Sequence, residues 1–379
     1  MKKTHLFCLA AIALLCSCGA TAPTASSSAD AVTSATARKA QSGSQNALSE
    51  SKQEKRYNLY GIGFYNLENL FDTIHTLAPD GTDKNDYEYL PDGANKWNTM
   101  KYNAKLKNMS TVLSLMGTDR IPNGLTLVGV TEVENRGVLE DLLKQPALQD
   151  RGWEIAHVES PDKRGIDCAF FYNPKQFHLE TINYPLCYNE DGSLYYTRGF
   201  ITIGGTLAGE KVHFIMNHWP SRFAASPARE RAGDIVRAIK DSILVQYPGS
   251  SVIIMGDMND DPDDPSMAIH LGAKKQKEDC GPTDLFNPWW KTLRDDGIGT
   301  LKYDGKWNLF DQIVMTGNLV DGDRSHLQFF RNEIFVRDFM LQHEGKNKGN
   351  PLRTSASGVW QNGYSDHLPT TIYLVKEAQ

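Results

Sequence analysis

Short apolar runs recur along the chain from about residue 56 onward and predict the strands of an α/β domain. Several runs are continuous rather than alternating, which is typical of strands that are buried on both faces. The predicted strands are 59–65, 125–130, 168–172, 212–217, 252–255, 313–315 and 370–375. Apolar residues at helical spacing predict helices around 106–116 and 235–243. The polar stretch 72–97 predicts a long surface loop, and the domain is placed at 56–377.

The N-terminal region has a different pattern. Residues 1–18 place Lys2 and Lys3 before an apolar run of about ten residues, which is too short for a membrane span of roughly 20 residues. The run ends at Cys18, in a segment that resembles the lipobox of bacterial lipoproteins. That resemblance implies cleavage before Cys18 and lipidation of its thiol; the alternative is a plain signal peptide with incidental cysteines. Residues 19–55 are rich in Ala, Ser and Thr and predict a flexible tether.

This leader predicts an exported protein. The chain would be anchored by lipid to the cell envelope, at the outer membrane or cell surface, or it would be secreted. It would meet a membrane only through the N-terminal lipid anchor.

Composition excludes several classes of protein. The 379 residues include 46 acidic and 40 basic side chains, a net charge of −6, so the chain lacks the overall basic field of a nucleic-acid coat. A local phosphate site remains compatible with this charge. Six cysteines are too few for a disulfide scaffold, and none has zinc-site spacing. At most one disulfide can form among Cys168, Cys187 and Cys280, and the pairing stays open.

Six polar clusters follow apolar runs, and we expect them to converge, because ligands of α/β sheets gather at strand ends. They are 64–69, 130–135, 217–222, 256–260, 308–312 and 365–369. Their carboxylates and carboxamides favour Mg²⁺, Mn²⁺ or Ca²⁺ over zinc, and their histidines indicate phosphate stabilisation and proton transfer. A single such cluster is usually a turn or a helix cap. Six in one chain are harder to explain by capping.

Together the clusters resemble the endonuclease/exonuclease/phosphatase superfamily over residues 57–375. The most specific segments are Tyr65-Asn66-Leu67-Glu68-Asn69-Leu70-Phe71-Asp72, Gly256-Asp257-Met258-Asn259 and Ser365-Asp366-His367-Leu368-Pro369. The resemblance implies an α/β fold, a four-layer α/β/β/α sandwich of two mixed sheets, and divalent-metal-dependent phosphoester hydrolysis.

The resemblance also assigns roles to individual residues. Asn66, Glu68, Glu132 and Asp366 correspond to the metal-binding positions, for Mg²⁺ or alternatively Mn²⁺ or Ca²⁺. Asp257 and Asn259 correspond to the pair that orients the attacking water and binds a phosphate oxygen. His218 corresponds to the histidine that contacts the scissile phosphate. His367 forms the terminal acid–histidine pair with Asp366, and Asp311 orients it.

Other residues keep two interpretations. Glu134 competes with Glu132 by chemistry, but its position after Val133 predicts an outward orientation. Arg164 is either a phosphate contact or a surface hairpin arginine, and Arg222 either lines a substrate groove or lies at a solvated helix start. Trp289, Trp290 and Trp307 predict packing residues or, alternatively, a stacking platform for a base.

The sequence favours a surface-anchored nuclease, with DNA favoured over RNA as the substrate. The alternative is a phosphatase or phospholipase of the same superfamily, acting on inositol phosphates or sphingomyelin. A third hypothesis is a catalytically silent surface-binding module. The complete set of polar residues argues against it, because a binding module does not need them all. No protein partner is inferred. Residues 223–227 replace a segment that is often Gly-rich in the family, so the shape of the substrate stays open. The sequence does not specify whether one or two metals act.

Overall fold

The computed structural model describes residues 55–77, 81, 83–186, 198–303 and 305–378. The predicted leader with Cys18, the predicted tether up to residue 54, and Cys187 lie outside these residues.

Two large mixed sheets and four α-helices form the framework of the described chain. The strands are β1 (Tyr57–Leu70), β2 (Leu127–Val133), β3 (Glu154–His157), β4 (Asp167–Tyr172), β5 (Phe177–Asn183), β6 (Thr202–Leu207), β7 (Glu210–His218), β8 (Ser251–Asp257), β9 (Ala273–Lys274), β10 (Leu285–Phe286), β11 (Leu301–Tyr303), β12 (Lys306–Asn308), β13 (Asp311–Thr316), β14 (Gln328–Ile334), β15 (Ser355–Ala356), β16 (Val359–Trp360) and β17 (Thr370–Glu377). The helices are α1 (Thr99–Leu115), α2 (Arg136–Leu143), α3 (Ser226–Gln246) and α4 (Trp289–Arg294). The first sheet has the order β14-β17-β1-β2-β4-β3 and the second β5-β6-β7-β8-β13-β10-β9.

The continuous apolar runs are explained by burial of both sheet faces. In β8, Ile253 and Met255 pack into the core between the sheets, while Val252 and Ile254 face α3. The first sheet is covered on its outer face by α1 and α2 in the same way. The result is the predicted four-layer α/β/β/α sandwich, which is confirmed.

The strand directions bring the six polar clusters to one end of the sandwich. β1 runs parallel to β2, and β7 runs parallel to β8, so four clusters lie where these strands end. β13 and β17 run antiparallel to their neighbours β8 and β1. The clusters at 308–312 and 365–369 therefore lie at the starts of these strands. The sequence pattern had predicted them at strand ends. An antiparallel strand begins at the edge where its neighbour ends.

Two glycines permit close approaches near this end. A Cβ on Gly129 of β2 would lie 1.8 Å from Met216 Cε of the opposite sheet. Gly256, directly before Asp257, has a φ of 151°, and a Cβ there would lie 2.1 Å from the carbonyl oxygen of Asn217. Both positions need the absence of a side chain.

The two predicted helices lie within α1 and α3, and each predicted strand run overlaps an observed strand. The described residues of the stretch 72–97 are mainly irregular, with a 3₁₀ turn at Tyr87–Tyr89. The apolar pattern did not predict α2, α4 or the strands β3, β5, β6 and β14. β3 is short, β5 and β14 are partly exposed, and two glycines interrupt the apolar residues of β6. Cys168 and Cys280 are free thiols.

In the described part of the chain, every helix is too short or too polar to cross a bilayer.

Candidate active site

The end of the sandwich where β1, β2, β7 and β8 finish holds the predicted site residues. The structure brings together Asn66, Glu68, Glu132, His218, Asp257, Asn259, Asp311, Asp366 and His367. Asn66 of the first sheet donates from Nδ2 to Asp257 Oδ2 of the second sheet at 3.1 Å. The site therefore lies across the seam between the two sheets.

Local backbone distortion sets the direction of the acidic side chains of the first sheet. The pairing of β1 with β2 shifts register between Asn66 and Leu70, and the pairing of β2 with β4 shifts between Thr131 and Val133. Within these irregularities Glu68 and Glu132 adopt left-handed φ angles of 48° and 60°. Irregular strand ends re-aim side chains in this way.

His367 and Asp311 form a buried ion pair. The Nδ1 of His367 lies 3.0 and 2.8 Å from the two carboxylate oxygens of Asp311. Burial lowers the pKa of His367, but the carboxylates of Asp311 and Asp257 outweigh burial and raise that pKa well above its usual range. His367 is therefore a fixed cation whose Nε2 points toward Asp257 Oδ2 at 3.8 Å.

His218 also lies near the carboxylate of Asp257, but its imidazole is neutral whereas that of His367 is cationic. Its Nε2 lies 3.8 Å from Asp257 Oδ2 and 3.7 Å from Glu132 Oε1. Burial, reinforced by Arg198 and Arg164, holds the pKa of His218 well below its usual range, so the imidazole is neutral at pH 7. Its Nδ1 is buried and has no hydrogen-bond partner among the described residues.

Arg198 is a site residue that the sequence analysis missed. Its side chain is 12% exposed, and its Nε lies 3.5 Å from Asp162 Oδ2. That Nε is buried without a hydrogen-bond partner in the described structure. A signal was present, because Arg198-Gly199 precedes an apolar run just as Arg164-Gly165 does.

Asp257 lies between the two histidines. Burial raises its pKa to about 7, with the positive charge of His367 acting in the opposite direction. Its Oδ1 accepts the backbone N–H of Asn259 at 2.9 Å. A carboxylate with a pKa near neutrality is suited to exchanging a proton with a substrate or a water.

The predicted metal-binding positions differ in how many oxygens they leave free. Glu132 Oε2 accepts the N–H of Asn69 at 3.0 Å, but Oε1 accepts no hydrogen bond from the described residues. Asp366 Oδ1 likewise accepts no hydrogen bond from the described residues and lies 4.0 Å from His367 Nε2, while its Oδ2 accepts from Arg353 at 3.0 Å. These hard oxygen donors fit a divalent cation such as Mg²⁺.

Glu68 is more heavily engaged than the sequence predicted. Its Oε1 accepts from Arg353 Nε at 2.9 Å, and its Oε2 accepts the N–H of Thr354 at 2.6 Å. Burial, followed by the charge of Asp366, raises the pKa of Glu68 to about 7. Arg353 therefore bridges two of the predicted metal-binding carboxylates, and no apolar pattern around 341–363 pointed to it.

Asp257, Asp311 and His367 also place ligand atoms within 4.8 Å of one another, which is close enough for a metal. Both oxygens of Asp311, however, are directed at Nδ1 of His367. We therefore assign this group to orienting the imidazole rather than to binding a metal.

Glu134 lies away from the site. Its two oxygens accept from the N–H of Asp72 at 2.8 Å and from the hydroxyl of Thr76 at 3.2 Å. It therefore anchors the loop that follows β1. Trp289 is also structural, because it is buried in the core and its Nε1 donates to the carbonyl of Ile313.

The two predicted substrate-binding arginines differ in their surroundings. Arg164 is exposed at the rim and donates to Asn69 Oδ1 at 2.5 Å. Arg222 donates to the carbonyl of Asn259 at 3.1 Å and to Asp264 at 2.8 Å. Arg222 also lies 3.4 Å from Asp260, so its charge is offset locally.

A family model for the endonuclease/exonuclease/phosphatase family matches residues 61–376. No curated protein matches the chain. Among solved structures, an endonuclease/exonuclease/phosphatase family protein from Bacteroides thetaiotaomicron is 16% identical, with a TM-score of 0.51, and the match covers 85% of this chain and 97% of that one.

Two further structures share this fold. A mannosyl-6-phosphatase from Bacteroides thetaiotaomicron VPI-5482 is 15% identical, with a TM-score of 0.51 and coverage of 83% of this chain and 99% of that one. TDP2 from D. rerio, complexed with a single-strand DNA product, is 12% identical, with a TM-score of 0.50 and coverage of 83% and 98%. At these identities the likeness is one of fold.

Proposed function

The chain belongs to the endonuclease/exonuclease/phosphatase family, and from this premise we propose that it is a Mg²⁺-dependent hydrolase of small phosphate esters. The observation that carries the proposal is the pairing of two imidazoles on one carboxylate oxygen. Nε2 of His218 and Nε2 of His367 both lie 3.8 Å from Asp257 Oδ2, one imidazole neutral and the other cationic.

The residues of the chain support a division of labour in the reaction. Asp257 accepts the proton of the attacking water, since its pKa lies near neutrality. His367, held by Asp311, presents a fixed positive charge to the phosphoryl oxygens as they gain negative charge. His218 would donate a hydrogen bond from its neutral ring to a phosphoryl oxygen of the substrate. Asn66 and Asn259 position the carboxylate between them.

The oxygen donors of the predicted metal-binding residues suit this scheme, because hard divalent cations prefer such ligands. Asn66, Glu132 and Asp366 would hold the ion, with Glu68 beside them. A bound Mg²⁺ would supply Lewis-acid stabilisation of a phosphoryl oxygen. Mn²⁺ or Ca²⁺ are alternatives because the donor atoms are the same.

The charges around the site favour a small ester over a polynucleotide. Arg222 lies among Asp260, Asp261 and Asp264. Arg229 pairs with Asp260 at 2.8 Å. A polynucleotide is bound mainly by several cations that are free to meet its phosphates. The mannosyl-6-phosphatase of the same fold, by its name, acts on such a small ester.

A nuclease is the second candidate, as the sequence analysis favoured. Arg164 is exposed beside Asn69, and Phe223 is completely exposed in the segment that follows His218. An arginine and an aromatic ring can hold a phosphate and a base of single-stranded nucleic acid. TDP2, of the same fold, is complexed with a single-strand DNA product.

We further propose export and lipid anchoring at Cys18, on the basis of the leader described above. Mass spectrometry of the mature N-terminus from a native host tests this. A Cys18→Ser variant that is recovered in the same membrane fraction, and whose mass differs from the wild type only by the exchange of sulfur for oxygen, would contradict lipidation.

The decisive experiment is hydrolysis by the full chain with Mg²⁺, Mn²⁺, Ca²⁺ or EDTA. The substrates are p-nitrophenyl phosphate, glucose 6-phosphate, an inositol phosphate, sphingomyelin, linear DNA and RNA. We expect metal-dependent phosphate release from small esters, loss of that activity in His367→Ala, and full activity in His326→Ala, whose histidine is exposed beside Asp321. Cleavage of DNA or RNA with inert small esters would favour the second candidate.

A further inference from the structure

A cavity of about 230 Å³ opens beside Glu68. One wall comes from the loop before α1, and the other comes from the segment around β15. The polar residues that line it, apart from Glu68 and Arg353, are Asn69, Glu88, Asn95, Thr354, Ser355 and Ser357. The cavity is therefore continuous with the predicted metal site through Glu68.

The aromatic part of the cavity wall is held in place. Tyr89 stacks on Phe71 with ring centroids 4.3 Å apart. Trp97 is buried, and its Nε1 donates to the carbonyl of Phe71 at 3.0 Å. A wall fixed in this way presents a preformed shape to a ligand.

The polar part of the wall consists of neutral groups, a carboxylate and an arginine that is already paired. Asn95, Ser355 and Ser357 offer neutral donors and acceptors that suit hydroxyl groups. Arg353 also lines the cavity, but its guanidinium is engaged by Glu68 and Asp366. Glu88 adds a carboxylate that accepts only from Asn95 Nδ2, at 3.4 Å, among the described side chains.

We propose that this cavity binds the neutral, hydroxyl-bearing leaving group of a singly phosphorylated substrate, such as one sugar or polyol ring, and that Glu88 excludes a second phosphate. The volume is below the roughly 300 Å³ at which pockets for drug-sized ligands begin, so it suits a single ring. A second phosphate beside Glu88 would meet the repulsion of its carboxylate, whose hydrogen-bond partner among the described side chains is the neutral amide of Asn95. The inference rests on the proposed function and specifies its substrate.

The test compares three substrates of the full chain with Mg²⁺. Glucose 6-phosphate carries hydroxyl groups and one phosphate, glucose 1,6-bisphosphate carries a second phosphate, and p-nitrophenyl phosphate carries neither hydroxyl group nor second phosphate. Asn95→Leu should lower kcat/KM for glucose 6-phosphate by about tenfold, because a hydroxyl group of the bound substrate loses its hydrogen-bond partner. The kcat/KM for p-nitrophenyl phosphate, which has no hydroxyl group, should change by less than about twofold.

Glu88→Lys tests the exclusion of charge. It should raise kcat/KM for the bisphosphate relative to the monophosphate by about fivefold to tenfold, because a repulsive charge becomes attractive. Glu344→Lys is the matched control: it makes the same charge change at an exposed residue outside the cavity, and the ratio should not move.

The outcomes separate the two proposals. If the wild-type chain hydrolyses p-nitrophenyl phosphate but neither Asn95→Leu nor Glu88→Lys changes the ratios of kcat/KM between the three substrates, the cavity assignment is overturned. The proposed function is unaffected by that result. Failure of the wild-type chain to hydrolyse any phosphate ester with any of the three metals overturns the proposed function itself.

Discussion

The amide of Asn66 and the carboxylate of Asp257 are joined by a hydrogen bond of 3.1 Å that crosses from one sheet to the other. Both side chains are buried, at 1% and 2% exposure. A buried carboxylate that loses a donor bears an uncompensated desolvation penalty. This bond therefore contributes both to the alignment of the site and to the docking of the two sheets.

A double-mutant cycle with Asn66→Ala and Asp257→Ala should reveal a coupling of about 1 kcal/mol or more in the free energy of unfolding. Urea unfolding at pH 8 with EDTA measures it without contributions from metal binding. Strict additivity of the two substitutions would show that the bond does not connect the sheets energetically.

Glu132 and Glu134 form a matched pair, two residues apart, with different surroundings. We expect Glu132→Gln to weaken Mn²⁺ binding at least tenfold, because it removes a charged oxygen ligand of the proposed metal site. Glu134→Gln should bind Mn²⁺ nearly as the wild type does, since its oxygens accept from Asp72 and Thr76. Isothermal titration calorimetry gives both affinities, and equal weakening in the two variants would refute the assignment of Glu132.

The stability of the metal-free protein should depend on pH through Glu134. Burial, followed by the charge of Asp72, raises the pKa of Glu134 to about 7 from its ordinary value of 4.5. The folded state then retains a proton that the unfolded state releases, so stability falls as pH rises from about 4.5 through 7.

Glu134→Gln removes this dependence. The free energy of unfolding of Glu134→Gln minus that of the wild type should be about 2–3 kcal/mol larger at pH 8 than at pH 5, so the variant gains stability relative to the wild type as pH rises. Urea melts at the two pH values in EDTA provide the comparison. A difference of the opposite sign would mean that hydrogen bonds to the ionised carboxylate outweigh its burial.

Arg198 should control the charge state of His218. Burial is the main reason for the low pKa of His218, and the charge of Arg198 is the next. Arg198→Gln should raise the pKa of His218 and lower kcat, while Arg198→Lys should keep most of the depression because it keeps the charge. NMR titration of the imidazole in the metal-free protein reports the pKa directly, and an unchanged value in Arg198→Gln would remove Arg198 from this role.

The parts of the fold that the sequence predicted are those with a strong local signal. Ile253 and Ile254 belong to a run that is apolar on both faces, so the strand is recognisable without its neighbours. β3 is short and β14 is partly exposed and mixed in composition, so both depend on partners elsewhere in the chain. Their formation is decided by tertiary pairing, which a local pattern does not contain.

The candidate site shows the same division. Asp257 and His367 belong to segments that resemble the family, so their proximity was predicted. Arg353 comes from a segment without periodicity, and its position depends on how residues 341–363 fold back over Glu68. The opposite charge states of His218 and His367 follow from burial and from neighbours distant in sequence, and no single motif encodes them.

The left-handed backbone at the site bears on how relatives of this chain can be interpreted. Glu68, Asn69, Glu132 and Asn259 all have φ angles between 48° and 60°. This conformation costs a residue such as Glu about 1–2 kcal/mol, whereas Asn adopts it more readily. Glycine would remove that cost at the two glutamates, so folding alone would favour glycine at 68 and 132. A lineage that no longer needed the chemistry would be expected to drift toward glycine there, so the residue types at these two positions form a simple criterion for separating working enzymes from silent members that keep the same fold.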